Sequence, residues 1–375
     1  MQKKILMTGI TGLVGSAYAV KLLKKNDNIQ IVALTRGGKG NKSAKEKVAE
    51  AIKEQCTFDA IPGFAYKALK RIDVIDRDVS STIKDTAIEK LTEIDSIFHC
   101  AANVNLGKDP YNNVYIGNYT GAKNMIDLAK KFNVDSYHHV STSYVAGRTS
   151  GLVKEDGLVP NTTFNNSYEK SKYNAEMLVR SSGLNYSIYR PAIIVGRLKD
   201  GKIRKPLAFY RILEFFGMLK KQYCAKTGTM PDEPMDIPHL RMETRTSDKI
   251  YFVPIDYVAD TIYDLSLLPC ENKTFHITGK GPAKMVDIVT ATCKILKIRN
   301  GISCHEKVDK PTLRERMISK FLGDLLPYFA SDITFDVSNV VEALGEKNLH
   351  WKMDEGRLLT IVKEFYLNAF PEMIS

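Results

Sequence analysis

The 375-residue sequence lacks the features that define several large protein classes. Its six cysteines (Cys56, Cys100, Cys224, Cys270, Cys293 and Cys304) are scattered, with no Cys-x-x-Cys pair, and its histidines do not cluster at metal-ligand spacing. That excludes a disulfide framework and a zinc site and fits reduced thiols in a cytoplasmic protein. No apolar run reaches the roughly 18 residues of a membrane-spanning helix. There is no internal repeat, no low-complexity tract, and no stripe of basic residues interleaved with aromatics of the kind that marks a nucleic-acid surface. Acid is also scarce. Asp and Glu number 43 against 54 Lys and Arg, a formal net charge of +11. Such an excess either serves solubility or meets a partner rich in negative charge: a phosphorylated cofactor, coenzyme A or an acidic carrier protein.

The remaining composition, 44% hydrophobic and 26% charged, is that of a globular protein. The opening "MQKKILMTGITGLVGSAYAV" imitates a signal peptide, but its glycines recur at fixed spacing and it runs directly into a helix pattern. Short apolar runs then alternate with amphipathic stretches. Strands are expected at 4–9, 29–36, 71–79, 94–102, 135–145 and 185–196, with helices at 16–25, 42–55 and 119–132. Such alternation specifies an α/β fold with a doubly wound parallel sheet, whose ligands bind beyond the carboxyl ends of the strands. After residue 196 the rhythm changes. An aromatic, basic helix is expected at 205–222, a strand–helix–strand unit returning to the sheet over 249–280, and further helices at 312–329 and 355–370. The expected organisation is a cofactor-binding domain over 1–200, joined by 249–280, and a smaller, mostly helical substrate region from 201–248 and 281–375.

The turn "TGITGLVGS" (8–16) lies between the first strand and the first helix, with glycines at Gly9, Gly12 and Gly15. A glycine-rich strand-to-helix turn lets the backbone approach a pyrophosphate, and the helix N-terminus adds oriented N–H donors. The next strand ends in Thr35-Arg36, with no carboxylate between Ile31 and Glu46. An acid there would hold the ribose hydroxyls of NAD, whereas Arg36, with Lys47 beyond it, suits the 2′-phosphate of NADP(H). Asp78 in "RDVSS" is placed either to accept from the adenine amino group or to serve as a helix N-terminal acid.

A hydroxyl cluster, "HHVSTSYVAG" (138–147), ends the fifth strand, and "SYEKSK" (167–172) opens the following helix. Tyr168 and Lys172 are four residues apart and share a helix face. A lysine ammonium, with the positive nicotinamide of an oxidised cofactor, favours the phenolate. The phenol can then give a proton to an oxygen that gains charge during hydride transfer. A neighbouring Ser or Thr hydroxyl polarises the same oxygen. His99, His138 and His139 fall on strand patterns and are read as packed residues.

These motifs, together with "SYEKSKYNAE", "YRPAIIVG", "YFVPIDYVAD" and "FHITG", resemble an extended short-chain dehydrogenase/reductase over most of residues 1–280. Within that superfamily they are similar to the thioester-reductase and fatty acyl-CoA reductase branch. The resemblance implies NADPH-dependent reduction of an acyl thioester, carried on coenzyme A or on an acidic carrier protein, either to an aldehyde or through it to an alcohol. It assigns Thr142 as the hydroxyl, with Ser143 its nearest rival, Tyr168 as the acid and Lys172 as its partner. It assigns cofactor contacts to Gly9, Thr11, Gly12, Leu13, Val14, Gly15, Arg36, Lys47, Asp78, Val79, Ala101, Ala102, Asn118, Pro191, Ile193 and Ile194, beside Tyr168 and Lys172. It implies a homodimer as well. No adenylation or carrier module is recognisable in the chain, so the thioester is expected on another molecule. The helices at 205–222 and 312–329 read either as core, or as an acyl lid and a partner or membrane-surface helix. The competing expectation is an NADP-dependent reductase, dehydrogenase or epimerase of a ketone, sterol or nucleotide sugar. A cofactor sensor without turnover is a third reading, against which the intact Tyr168/Lys172 pair stands.

Overall fold

A computed structural model of the protein describes residues 2–38, 42–81, 88, 91, 93–299, 301–329 and 331–374. Its centre is a seven-stranded parallel sheet: β1 (Lys3–Thr8), β2 (Ile29–Thr35), β3 (Ile72–Asp76), β4 (Ser96–His99), β5 (Ser136–Val140), β6 (Tyr186–Pro191) and β7 (Lys273–Ile277). They lie in the order β7-β6-β5-β4-β1-β2-β3. The chain winds outward through β2 and β3, then crosses back to start the other half at β4, which leaves a crevice between β1 and β4. The register aligns the carboxyl ends: Thr8 faces His99, His99 faces His139, Val140 faces Tyr189 and Pro191 faces Ile277.

Helices cover both faces. On one side α1 (Leu13–Lys25) packs against α7 (Ile255–Ser266), and α2 (Ala44–Phe58) and the short α3 (Phe64–Leu69) close the edge. On the other, α4 (Asn113–Phe132) packs against α5 (Ser167–Arg180). Two apolar clusters fill the interior, the larger running on into the C-terminal part of the chain. Local chemistry fixes the helix starts. Glu46 N–H donates to Ser43 Oγ at 3.2 Å while Ser43 N–H donates to Glu46 Oε2 at 2.8 Å, a reciprocal cap on α2. Asn166 Oδ1 accepts from Glu169 N–H at 3.0 Å and so caps α5.

Several boundaries differ from the sequence expectation. The strand expected at 135–145 stops at Val140, because Thr142 Oγ1 accepts from Tyr144 N–H at 3.3 Å and turns the chain into a 3₁₀ turn, Ser143–Ala146. The run at 185–196 breaks at Ala192, and Ile193–Val195 pairs instead with Phe252–Pro254 in a separate two-stranded ladder. Only β7 of the 249–280 unit therefore joins the main sheet. Helix α4 starts earlier than expected, after Asn112 in the left-handed region at φ +53°. Helix α6 (Tyr210–Thr227) starts and ends five residues later than expected, following Pro206 and a left-handed Ala208. The 312–329 run splits at Gly323-Asp324-Leu325 into α9 (Leu313–Leu322) and α10 (Leu326–Phe329), with α8 (Met285–Leu296) before them. Short ladders tie distant segments together, among them Ile333–Phe335 with Gly151–Val153 and Leu240–Glu243 with Ile302–His305. Among the described residues no helix is long and apolar enough to cross a membrane, and no acid, His or Cys group could hold a metal.

Candidate active site

The turn after β1 is closed as tightly as backbone allows. Gly9 sits at φ +75°, and a Cβ there would lie 2.6 Å from Ala101 N. A Cβ on Gly15 would lie 2.1 Å from the Gly9 oxygen. Gly12 N–H donates to that same oxygen at 2.9 Å. The Thr8 hydroxyl contacts His99 Nδ1 at 2.7 Å and accepts from Ala101 N–H at 3.1 Å, which joins the ends of β1 and β4. Helix α1 then begins with Gly12 as its cap, with no side-chain cap bond and no acid in its first turn. With no side-chain cap and no acid there, the positive dipole end of α1 fits a dinucleotide pyrophosphate.

Arg36, Lys47 and Asp78 gather at the ends of β2 and β3. Arg36 donates to Asp78 Oδ2 at 2.8 Å, and Lys47 Nζ donates to the Arg36 carbonyl at 3.3 Å. The Asp78 carboxylate also accepts from Ser80 N–H and Oγ–H, so it is engaged by the protein itself. Burial opposes its charge, but the Ser80 and Arg36 bonds outweigh burial and hold it below the usual carboxylate range. Val79 packs against Gly121, and its carbonyl accepts from Asn124 Nδ2 at 2.9 Å. An acid does reach this corner, from β3 rather than β2: Asp76 lies opposite Thr35 and accepts from Gly37 N–H at 3.0 Å.

Between the glycine turn and α5 lies a cavity of about 460 Å³. Of the residues assigned from sequence, Gly12, Leu13, Val14, Ala102, Thr142, Tyr168, Lys172, Pro191, Ile193 and Ile194 all line it. Gly9, Thr11, Gly15 and Ala101 build the turn beside it, and Arg36, Lys47, Asp78 and Val79 form the separate group just described. Asn118 also stays outside: its amide donates to Asn103 O at 3.0 Å and Ser171 Oγ at 2.9 Å, and it accepts from Asn103 N–H at 2.7 Å. It thereby fastens the loop after β4 to α5.

Lys172 is buried, with Nζ 2.7 Å from the Val140 carbonyl and 3.4 Å from His139 Nε2. Burial pulls its pKa down to about 8, against the opposing pull of Cys100 and Glu176. Burial, followed by the Cys100 thiol, raises the Tyr168 phenol well above its usual range, and a hydrogen bond with Thr142 works the other way. Lys172 Nζ is engaged at the Val140 carbonyl, and burial outweighs the lowering of Tyr168 expected from sequence. Thr142 reaches the phenol, whereas the rival Ser143 is buried outside the cavity.

Helix α5 is anchored at both ends. Arg190 of β6 and Glu176 of α5 are about 1% and 0% exposed, and their guanidinium and carboxylate meet at 2.6 and 2.9 Å. Arg190 also donates to Gly157 O at 2.7 Å and lies 3.2 Å from His276 Nε2. At the N-terminal end, the Tyr328 hydroxyl accepts from Asn166 Nδ2 at 2.8 Å and bonds to the buried Glu169 carboxyl, which burial raises. Tyr328 also meets Tyr144 edge-on, ring centroids 4.8 Å apart, and both line the cavity. Sequence reading missed Tyr328, Phe329 and Cys100, which also line it. "LLPYF" lies 160 residues from Tyr168 and carries no periodicity that would bring it there. The Cys100 thiol is pushed up to about 12 by burial and stays protonated near neutral pH.

Comparison with known proteins gives a family model described as male sterility protein, an NAD-binding family, over residues 7–262. A nonribosomal peptide synthetase, asaC, of Aspergillus flavus is 24% identical over 92% of this chain and 34% of its own length. Fatty acyl-CoA reductase 1 of Xenopus laevis is 27% identical over 53% of this chain and 44% of its own. The chain thus spans less than half the length of these curated relatives. Among solved structures, a thiolation-reductase di-domain from an archaeal non-ribosomal peptide synthetase aligns over 100% of this chain and 92% of its own, with a TM-score of 0.70 at 21% identity. The glycine turn, the crevice at β1 and β4 and the Tyr168–Lys172 helix all fall inside the matched span, and the chain belongs to the male sterility protein family, with the extended short-chain dehydrogenase/reductase fold.

Proposed function

We propose that the protein reduces an acyl thioester, on coenzyme A or a carrier protein, with NADPH, to an aldehyde and then to an alcohol. The observation that carries this reading is the single cavity in which Thr142, Tyr168 and Lys172 meet an apolar wall of Val104, Leu106, Ile193, Leu207, Phe209 and Phe329. Such a wall suits an acyl chain better than a sugar nucleotide. The relative named as a fatty acyl-CoA reductase and the thiolation-reductase neighbour support the thioester.

The glycine turn and the N-terminus of α1 would hold the pyrophosphate, Arg36 and Lys47 the 2′-phosphate, and Pro191, Ile193 and Ile194 the nicotinamide side. Bound NADPH supplies the hydride. As the carbonyl oxygen gains charge, Tyr168 donates its phenolic proton to it and the Thr142 hydroxyl steadies it with a hydrogen bond. Lys172, held at the Val140 carbonyl, stabilises the phenolate left behind. The tetrahedral adduct then breaks its carbon–sulfur bond as the hydroxyl proton returns to the phenolate, which leaves the aldehyde and a thiolate that takes its proton from solvent. The same three groups serve a second reduction. Residues 201–248 and 281–375 form the substrate side in this reading.

The test follows loss of reduced-nicotinamide absorbance with acyl-CoAs, acyl-carrier thioesters and free aldehydes, for the unaltered chain and Tyr168→Phe. Thioester-dependent oxidation that disappears in the variant is expected, and the aldehyde arm reports the second step. Firm NADPH binding with no thioester turnover refutes the reading.

A further inference from the structure

The segment leading from Val195 to α6 runs back over the glycine turn. Lys205 Nζ donates to the Thr11 carbonyl at 3.0 Å, and Arg204 donates to the Gly12 carbonyl at 3.3 Å and to the Ser16 hydroxyl. Arg204 is also held from behind, by Gln55 Oε1 at 3.2 Å and Glu54 Oε2 at 2.7 Å, and its side chain is only 7% exposed. Lys205 differs from it. The residue is exposed, and Thr11 O is its hydrogen-bond partner. Burial of the ammonium, then Arg204 beside it, lowers its pKa, while Glu54 and Glu50 work against that and Lys47 with it. Two to four residues further on, Leu207, Ala208 and Phe209 line the catalytic cavity, with Ala208 at φ +43°.

Two adjacent cations are therefore carried to the carbonyl side of a turn that leads into the positive dipole end of α1. A neutral carbonyl is a weak partner for an ammonium, whereas a phosphate oxygen is a strong one. The four-carbon stem of a lysine lets the charge swing several ångströms without backbone movement.

We propose that Lys205 binds the pyrophosphate of the dinucleotide and that Arg204 is the positioning residue, pinning this strap to α1 and α2. The inference rests on the nicotinamide reading above and assigns Lys205 a different phosphate from Arg36 and Lys47. One strap then serves both ligands, because the residues after Lys205 shape the acyl cavity.

The test titrates NADPH and NADH separately into the full chain, by reduced-nicotinamide fluorescence, for the unaltered protein, Lys205→Ala, Lys205→Arg and Arg36→Ala. Lys205→Ala is expected to weaken both dinucleotides by about tenfold, the loss of one charge-assisted hydrogen bond. Lys205→Arg retains most of the affinity, and Arg36→Ala weakens NADPH alone. Thermal unfolding of the cofactor-free Lys205→Ala protein should match the unaltered chain, since the residue is exposed. A change below about twofold for both dinucleotides, or a loss confined to NADPH, overturns the assignment. If the unaltered chain binds neither dinucleotide, the nicotinamide reading itself fails.

Discussion

Breaking the Arg190–Glu176 pair should unfasten α5, the helix that carries Tyr168 and Lys172. Arg190→Met leaves the Glu176 carboxylate fully buried, with Arg180 at 3.7 Å as its remaining cation. Stranding one member of a buried ion pair costs about 3–5 kcal/mol. Glu176→Leu strands Arg190 in the same way. The double variant removes both charges, so its cost is that of the Gly157 carbonyl and the His276 ring losing a donor, about 1 kcal/mol or somewhat more each, and of the partly exposed Arg180 losing its pair. The two single losses should therefore exceed the double loss by about 2 kcal/mol or more, read from urea midpoints at unchanged m-value. Additivity within about 0.5 kcal/mol, or a loss below about 1 kcal/mol for Arg190→Met, would refute the reasoning. pH gives an independent check. Burial opposes the Glu176 charge, but Arg190 outweighs it and holds the carboxyl below its ordinary value. Its stabilising contribution is thus present above the unfolded value of about 4.3 and is lost as pH falls through the lower folded value. The gap between the unaltered protein and the double variant should narrow there.

Tyr168→Phe should lower turnover by about 10²–10⁴-fold and Thr142→Val by about 10²-fold or more, with NADPH affinity changed only a few-fold in a direct titration. Lys172, buried with a pKa near 8, weakens the fold while protonated. Stability of the unaltered chain should gain on the order of 1.4 kcal/mol per pH unit between about pH 8 and 10, and Lys172→Met should lack that gain in urea titrations at each pH. Gly15→Ala forces a Cβ to 2.1 Å from the Gly9 oxygen, so the turn must open. Dinucleotide affinity should fall by about tenfold or more, and a variant that binds as well as the unaltered chain would show that the turn is not the anchor.

The seven strands were legible because each is a short apolar run between turn residues, and the glycine turn and Tyr168–Lys172 because their spacing is local. Contacts made by chain reversal were not legible. Tyr328 and Phe329 reach the cavity only after Gly323-Asp324-Leu325 ends α9, and the 3₁₀ turn after Val140 joins a Thr142 side-chain cap to the backbone bonds of Val145 and Gly147. Arg190 could be quoted from sequence as part of a motif, but its partner Glu176 became visible only once α5 lay against β6. Lys205 fell in the basic helix expected at 205–222, and nothing in the spacing of Arg204 and Lys205 pointed back to residues 11 and 12. Asp78 shows the opposite limit: it falls at the end of the strand expected at 71–79, whereas β3 stops at Asp76 and the capture of Asp78 by Arg36 depends on the register of two strands.

The strand ladder also sets an order of assembly during synthesis. Strand β6 has β5 on one side, but its other neighbour, β7, lies beyond the 201–248 segment, and Ile333–Phe335 closes on Gly151–Val153 later still. A nascent chain released only to residue 200 therefore exposes the backbone edge of β6, a template for pairing with another chain. Arg190 at that stage also lacks His276. The cofactor half is completed only when residue 277 leaves the ribosome, so cutting the gene after residue 200 would yield a sticky fragment in place of a portable nucleotide-binding module.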